Sequence, residues 1–192
     1  MNEVVFDIET QNTYQEIGSR DYRLLKVSLV GVWESGTGSY TSYLESELPK
    51  LWPVFERADR IIGYNSKGFD IPVLANYYPG DLGKIPSLDI LEEIERAIGF
   101  RVKLDSVAQA TLGEGKSGNG LQAVEFWRTG EIQKLRDYCL QDVKVTREVY
   151  AYGLREGHVA YTDKLGRRVE VPVNFAPAPV DTRSSLNLTM GF

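Results

Sequence analysis

Val4-Val5-Phe6-Asp7-Ile8-Glu9 alternates with the period of a β-strand, so Val5, Asp7 and Glu9 share one face while Val4, Phe6 and Ile8 share the other. Two carboxylates therefore stand side by side among apolar neighbours near the start of the chain. Working outward, residues 27–33 and 39–44 read as two further strands, and Glu34-Ser35-Gly36-Thr37-Gly38 between them is a hairpin signal. Residues 47–58 suit a helix, with Leu48, Leu51, Val54 and Phe55 at helical spacing, although Pro49 and Pro53 interrupt it. Residues 60–64 form a fourth strand candidate that runs into Asn65-Ser66-Lys67-Gly68, and a short helix is expected over 69–77.

A fifth short strand is expected at 87–90, followed by helices at 91–98, 104–112 and 121–127. Residues 113–120 (GEGKSGNG) read as an exposed loop. The longest helix candidate, 131–155, carries Ile132, Leu135, Tyr138, Cys139, Asp142, Val145 and Val149 along one side. Beyond it, 158–162 and 167–173 look like a strand pair around the turn Asp163-Lys164-Leu165-Gly166, and 176–192 is a Pro/Ser/Asn-rich tail. Antiparallel strands followed by alternating strands and helices predict an α/β domain, a mixed sheet flanked by helices with a C-terminal strand pair. The expected division is 1–156 for the main domain, 157–175 for the strand pair packed on it and 176–192 for the tail. A ribonuclease H-like fold has this order of elements, one choice among several from periodicity alone.

The 192 residues suffice for one domain, and 42% hydrophobic with 26% charged residues is an ordinary globular balance. No apolar run reaches the length of a membrane span, and the N-terminal residues do not read as a signal peptide. The single cysteine, Cys139, excludes an internal disulfide and reads as a packed helix residue. A cytoplasmic location fits these features. The net charge of −5 argues against a broadly basic nucleic-acid surface. Four carboxylates engaged with metal would change that balance: 23 acids would face 22 bases.

Three groups of residues carry potential chemistry. Asp7 and Glu9, on one strand face, would raise each other's pKa unless a cation compensates, and an all-oxygen set suits Mg²⁺ or Mn²⁺. Taken alone, they read more readily as solvated acids at a strand end. Asp70 and Asn65 lie where a strand, a glycine-containing turn and a helix start meet, the sheet edge at which α/β folds bind ligands. An acid favouring a helix N-terminus and an amide making a turn would explain them equally well. Tyr138 and Asp142, four apart on a helix, share a face. A half-buried tyrosine on an ordinary helix is the plainer explanation of that pair.

Together the groups are more specific. Phe6-Asp7-Ile8-Glu9-Thr10 resembles the first exonuclease motif of the DEDD superfamily. Residues 63–74 (GYNSKGFDIPVL) resemble the second motif in the form used by the proofreading domain of family B DNA polymerases. Tyr138-Cys139-Leu140-Gln141-Asp142 resembles the third motif in its tyrosine form, and 103–113 (KLDSVAQATLG) is similar to the segment between motifs two and three. The resemblance spans about residues 4–150, in family order, and the length leaves no room for a polymerase palm, fingers or thumb. It implies a stand-alone, ribonuclease H-like 3′–5′ exonuclease that removes nucleotides from single-stranded DNA with two divalent cations, Mg²⁺ or Mn²⁺. Residues 158–175 resemble, more loosely, a C-terminal strand pair of some stand-alone members. By the same resemblance Asp7 bridges the two metals, Glu9 and Asp142 bind the one carrying the nucleophilic water, Asp70 holds the second, and Tyr138 orients the water. Ile8 and Thr10 lie near the terminal sugar, and Asn65 near the terminal nucleotide. Phe69 is a candidate to stack on a base.

Two other readings stay open: an exoribonuclease of the same superfamily, and a catalytically silent nucleic-acid-binding scaffold, for which a lost carboxylate would be the sign. A second branch of the superfamily places a histidine five residues before the last aspartate. His158 and Asp163 have that spacing, but the stretch between them reads as strand and lies outside the resemblance. Asp89 and Asp105 read as helix-entry residues, Trp33, Trp52 and Trp127 as core or groove wall, and Lys116 as part of a solvated loop.

Overall fold

In the computed structural model, which describes residues 1–113 and 120–177, five strands form one sheet in the order β3-β2-β1-β4-β5. These are β1 (Glu3–Thr10), β2 (Val27–Glu34), β3 (Ser39–Leu44), β4 (Arg60–Gly63) and β5 (Ser87–Asp89). The first three pair antiparallel, whereas β4 and β5 add on in parallel. The helices are α1 (Tyr14–Ile17), α2 (Leu48–Glu56), α3 (Asp70–Leu74), α4 (Ile90–Ile98), α5 (Leu104–Leu112), α6 (Gly120–Arg128) and α7 (Ile132–Glu156). A separate antiparallel pair, β6 (His158–Thr162) and β7 (Arg168–Pro172), packs against α4, α5 and α7.

Alternation along β1 divides the core. Val4, Phe6 and Ile8 pack with Leu51 and Phe55 of α2 and Leu74 of α3. Val5 packs on the other face with Ile94 of α4, Val107 of α5 and Val143 and Val149 of α7. A strand covered on both faces accounts for the full burial of Val4 and Val5. The long helix lies close against β2 at Gly31. A Cβ there would come within 2.9 Å of Cys139 Sγ and 3.0 Å of a Val143 methyl. Gly31 is also the cross-strand partner of Asp7, so the close approach of α7 occurs beside the first carboxylate.

Several expected boundaries shift for local reasons. The helix expected over 47–58 begins as a 3-10 turn at Glu45–Glu47 and becomes α-helical at Leu48, with Pro49 at its start, where a missing N–H costs nothing. The helix expected over 69–77 is only the five residues of α3. The chain then turns, with Tyr77 and Tyr78 N–H both donating to the Leu74 carbonyl. Helix α1 had no hydrophobic periodicity to announce it. A capping box between Thr13 and Glu16 starts it, and Gly18 at φ 60° ends it. Of the tail expected from 176, and of the loop expected over 113–120, residues 178–192 and 114–119 lie outside the described residues, Lys116 among them. No described helix is long and apolar enough to cross a membrane.

Candidate active site

Strand β1 contributes the first two acids. The nearest carboxylate oxygens of Asp7 and Glu9 and the Sγ of Cys139 all lie within 4.8 Å of one another. Glu9 is buried and Asp7 half-buried, so neither is simply a solvated acid at a strand end. The third acid reaches β1 because β4 is short. The parallel register stops at Val5 opposite Ile62, and β4 ends at Gly63, so it cannot serve the more distant N–H groups of β1. Asp70, at the start of α3, takes over: its Oδ1 accepts the Ile8 N–H at 3.1 Å. That bond sets Asp70 against the backbone between Asp7 and Glu9. Burial pushes its carboxyl up to about 7, against the lowering effect of hydrogen bonds from its own backbone and from Ile8, with Asp89 adding to the rise.

Helix α7 supplies the fourth acid, Asp142, buried on the side facing the sheet. Asp7, Glu9, Asp70 and Asp142 line a single pocket of about 390 Å³. Ile8, Thr10, Asn65 and Phe69 line the same pocket, so eight of the nine residues picked from sequence meet there. Tyr138 is the ninth. It lies one turn before Asp142 but does not line the pocket. Its ring is buried with Leu29, Ala123, Leu135 and Cys139 and meets Phe126 of α6 edge-on at 6.5 Å. The face shared with Asp142 was legible from i,i+4 spacing, whereas the covering by α6 was not.

The turn after β4 is built around its polar groups. Asn65 has φ 65°, a left-handed conformation that asparagine tolerates, and a Cβ on Gly68 would fall 2.6 Å from Asn65 Oδ1. Asp89 caps α4 through Leu91 and Glu92 N–H and also accepts the Asn65 N–H at 2.8 Å and the Lys67 N–H at 3.0 Å. It is therefore a helix-entry residue, as its sequence context suggested, that also holds the pocket's rim. Asp105 stands exposed in the first turn of α5. Phe69 is half-buried and leans on Tyr22 with ring centroids 6.2 Å apart.

Sequence reasoning missed two contributors. Arg101 donates a short hydrogen bond to Asn65 Oδ1, joining loops 36 residues apart in a way that no local pattern announces. Cys139 is packed, as expected, but its Sγ lies 3.6 Å from the Asp7 carbonyl and 4.0 Å from Asp7 Oδ2. Burial, with Asp7, Glu9 and Asp142 nearby, holds the thiol well above its usual pKa, so it stays protonated and unreactive. His158 takes no part in the pocket. It lies in β6, edge-on to the Tyr152 ring and 3.6 Å from Glu170, while Asp163 accepts the Leu165 and Arg167 N–H groups in the following turn.

A mixed five-stranded sheet with helices on both faces and carboxylates gathered beside its central strand defines a ribonuclease H-like α/β domain. The family model RNase_H_2 of the RNase_H superfamily matches residues 4–153, and the chain belongs to that superfamily. Among solved structures it is similar to the family B DNA polymerase from the hyperthermophilic archaeon Pyrobaculum calidifontis, with 25% sequence identity and a TM-score of 0.62. That match covers 80% of this chain and 24% of the polymerase, so the chain spans about a quarter of the larger protein's length. A search of curated proteins found no match.

The donor chemistry fits divalent cations, which ribonuclease H-like nucleases use. Asp7 and Glu9 offer hard oxygen ligands a few ångströms apart, and Asp70 and Asp142 face the same pocket. A cation would relieve the cost of gathering carboxylates in a partly buried space.

Proposed function

We propose that the chain is a metal-dependent 3′–5′ exonuclease that hydrolyses the terminal phosphodiester of single-stranded DNA. The observation that carries this reading is the meeting of four carboxylates, from β1, α3 and α7, in one pocket. Asp7 would be shared by two cations, Glu9 and Asp142 would complete the site for one, and Asp70 would hold the other. Such a pair of ions lowers the pKa of a water, neutralises the phosphate's non-bridging oxygens and stabilises the leaving 3′ oxygen. Water adds to phosphorus as the bond to the 3′ oxygen breaks, releasing a nucleoside 5′-monophosphate and a strand with a new 3′ hydroxyl.

The protein's own groups position the reactants. Tyr138, one turn from Asp142 but outside the pocket lining, would have to turn its hydroxyl into the pocket to act there, and would then orient the attacking water rather than deprotonate it, since a phenol is a poor base at neutral pH. Asn65, held by Arg101, would contact the terminal nucleotide, the backbone at Ile8 and Thr10 would face its sugar, and Phe69 would offer a face to its base. The likeness to a DNA polymerase favours DNA over RNA as substrate. A cytoplasmic role in proofreading or repair would suit such an enzyme. The test is digestion of matched 5′-labelled single-stranded DNA and RNA with Mg²⁺ or Mn²⁺. A ladder shortening from the 3′ end, abolished by EDTA and by Asp7→Ala, is expected, faster on DNA. Faster digestion of RNA would make the chain an exoribonuclease, and no ladder with either polymer would favour a silent binding domain.

A further inference from the structure

A second cleft, of about 710 Å³, opens between the segment leading into α5 and the turn joining β6 to β7. Its chemistry is unlike that of the acidic pocket. Arg101, Lys103, Lys164 and Arg167 line it with one acid, Asp163; Arg167 is bound to that acid at 2.8 Å and Arg101 to Glu95 at 3.2 Å, which leaves the two lysines to supply the cleft's free charge. Among the described residues, Lys103 and Lys164 form no ion pair, and both are exposed, so their charge faces solvent. A cationic cleft in a chain of net charge −5 is a local concentration of the sign that phosphates require. The cleft is also aromatic. Phe100 is 48% exposed and meets Tyr161 edge-on at 5.7 Å, and Leu165 beside them is 76% exposed.

The cleft and the acidic pocket share a wall. Arg101 of the cleft donates to Asn65 of the pocket, and the Tyr64 hydroxyl, also of the pocket, donates to the Val102 carbonyl at 2.7 Å. We infer that the cleft formed by residues 100–103 and the β6–β7 turn binds the single-stranded nucleic acid upstream of the terminal nucleotide, with phosphates on Lys103 and Lys164 and a base against Phe100. Sequence-tolerant binding of single strands combines these two elements, a cationic track and an exposed ring. The inference rests on the exonuclease reading of the neighbouring pocket for the direction in which the strand runs. It gives the C-terminal strand pair a substrate-holding role.

The test uses the full chain and two probes. Binding of a 5′-fluorescein-labelled twelve-nucleotide oligothymidylate is followed by fluorescence anisotropy with Ca²⁺ across a series of salt concentrations. Hydrolysis of the p-nitrophenyl ester of thymidine 5′-monophosphate with Mn²⁺ reports on the acidic pocket alone. The double variant Lys103→Glu/Lys164→Glu should bind the oligonucleotide about tenfold more weakly or worse. It should also lower the slope of log affinity against log salt by ~0.7 for each phosphate that no longer meets a lysine. Phe100→Ala should weaken binding about fivefold or more by removing the stacking surface, with the salt slope kept. Melting curves confirm that the variants are folded, and hydrolysis of the ester at the wild-type rate excludes damage to the pocket. Oligonucleotide affinity and salt slope equal to wild type in both variants would overturn the inference, as would a wild-type chain that binds no oligonucleotide. Cleft-dependent binding by a chain that leaves the ester intact would instead overturn the reading of the pocket and keep the cleft as a binding surface.

Discussion

At the leading end of the central strand pair, Glu3 of β1 meets Arg60 of β4, and at the trailing end Asp7 and Glu9 of the same β1 meet Asp70 and Asp142. The first meeting is resolved by the chain itself. Arg60 Nε donates to Glu3 at 2.8 Å, and its Nη2 donates to the Tyr150 hydroxyl at 2.5 Å and to the Phe175 carbonyl at 2.7 Å. The Tyr150 hydroxyl in turn donates to Glu3 at 2.9 Å. Burial, then the bond to Glu3, push that phenol up to about 12. The network fastens the segment after β7, whose Phe175 ring occupies space that only Gly153 leaves open on α7. The second meeting gathers four carboxyl groups in one pocket, whose lining among the described residues includes no basic side chain. A carboxylate beside a guanidinium builds structure, whereas carboxylates beside one another are, on the proposed reading, a site for cations.

The sharpest way to break this comparison is to delete one charge at each end. Asp7→Ala should lower the rate of nucleotide release by about a thousandfold or more, equivalent to ~4 kcal/mol of barrier, with little loss of metal-free stability. Arg60→Ala should do the reverse. It leaves Glu3 without its counter-charge and should cost about 3 kcal/mol of stability in denaturant melts, while the molecules that remain folded keep their activity. Equal effects of the two substitutions on stability would erase the distinction between the ends.

Gly31→Ala probes how the second end is assembled. The added methyl would meet Cys139 Sγ at 2.9 Å and push α7, with Asp142, away from β1. We expect a stability cost of about 1–3 kcal/mol from overpacking and, because a shift of about 1 Å at a catalytic group is costly, a loss of activity near a hundredfold. A variant of wild-type activity would show that the separation of α7 from β2 does not set the geometry of the pocket.

Tyr138→Phe and His158→Ala sharpen the assignment of roles. The first removes a hydroxyl one turn from Asp142 and should lower the rate by about ten- to a hundredfold without unfolding the chain. The second, distant from the pocket lining, should change stability by less than about 1 kcal/mol and leave the rate alone. Rate measurements showing the opposite pattern would reassign the site.

The smallest expected effect is one of pH. Asp70 is raised by burial from its ordinary value of 3.8 to about 7 in the folded protein, so the folded state holds a proton that the unfolded state releases. Its contribution to stability is therefore complete below about pH 4 and is lost as pH rises through 7. In EDTA the melting temperature should drift down across that window, and Asp70→Asn should flatten the drift. An identical drift in the variant would assign the effect to other groups.

These contrasts also explain what could be read from the sequence. The alternation of Val4 to Glu9 showed both core faces of β1 and placed Asp7 and Glu9 together, because a strand's period is local. Helices α5 and α7 and the β6–β7 pair were legible from period and turn residues for the same reason. The four acids could be collected only through motif resemblance, since nothing local links Asp70 to Ile8 across 62 residues of sequence. Arg101 on Asn65, α6 over Tyr138 and the approach of α7 to Gly31 are tertiary contacts without a sequence period, and they became visible only in the fold. Helix α3 is shorter than expected because the chain turns at Leu74, where two successive amides share one carbonyl.

The most direct test of the central claim is calorimetric titration of the protein with Mn²⁺, comparing wild type with Asp7→Asn, which keeps the shape of the side chain and removes its charge. The account predicts saturable Mn²⁺ binding by the wild type and its loss in the variant, with the variant as well folded as the parent in the absence of metal. Equal Mn²⁺ binding by the two proteins, or none by either, would contradict the claim that the carboxylates around β1 form a metal site.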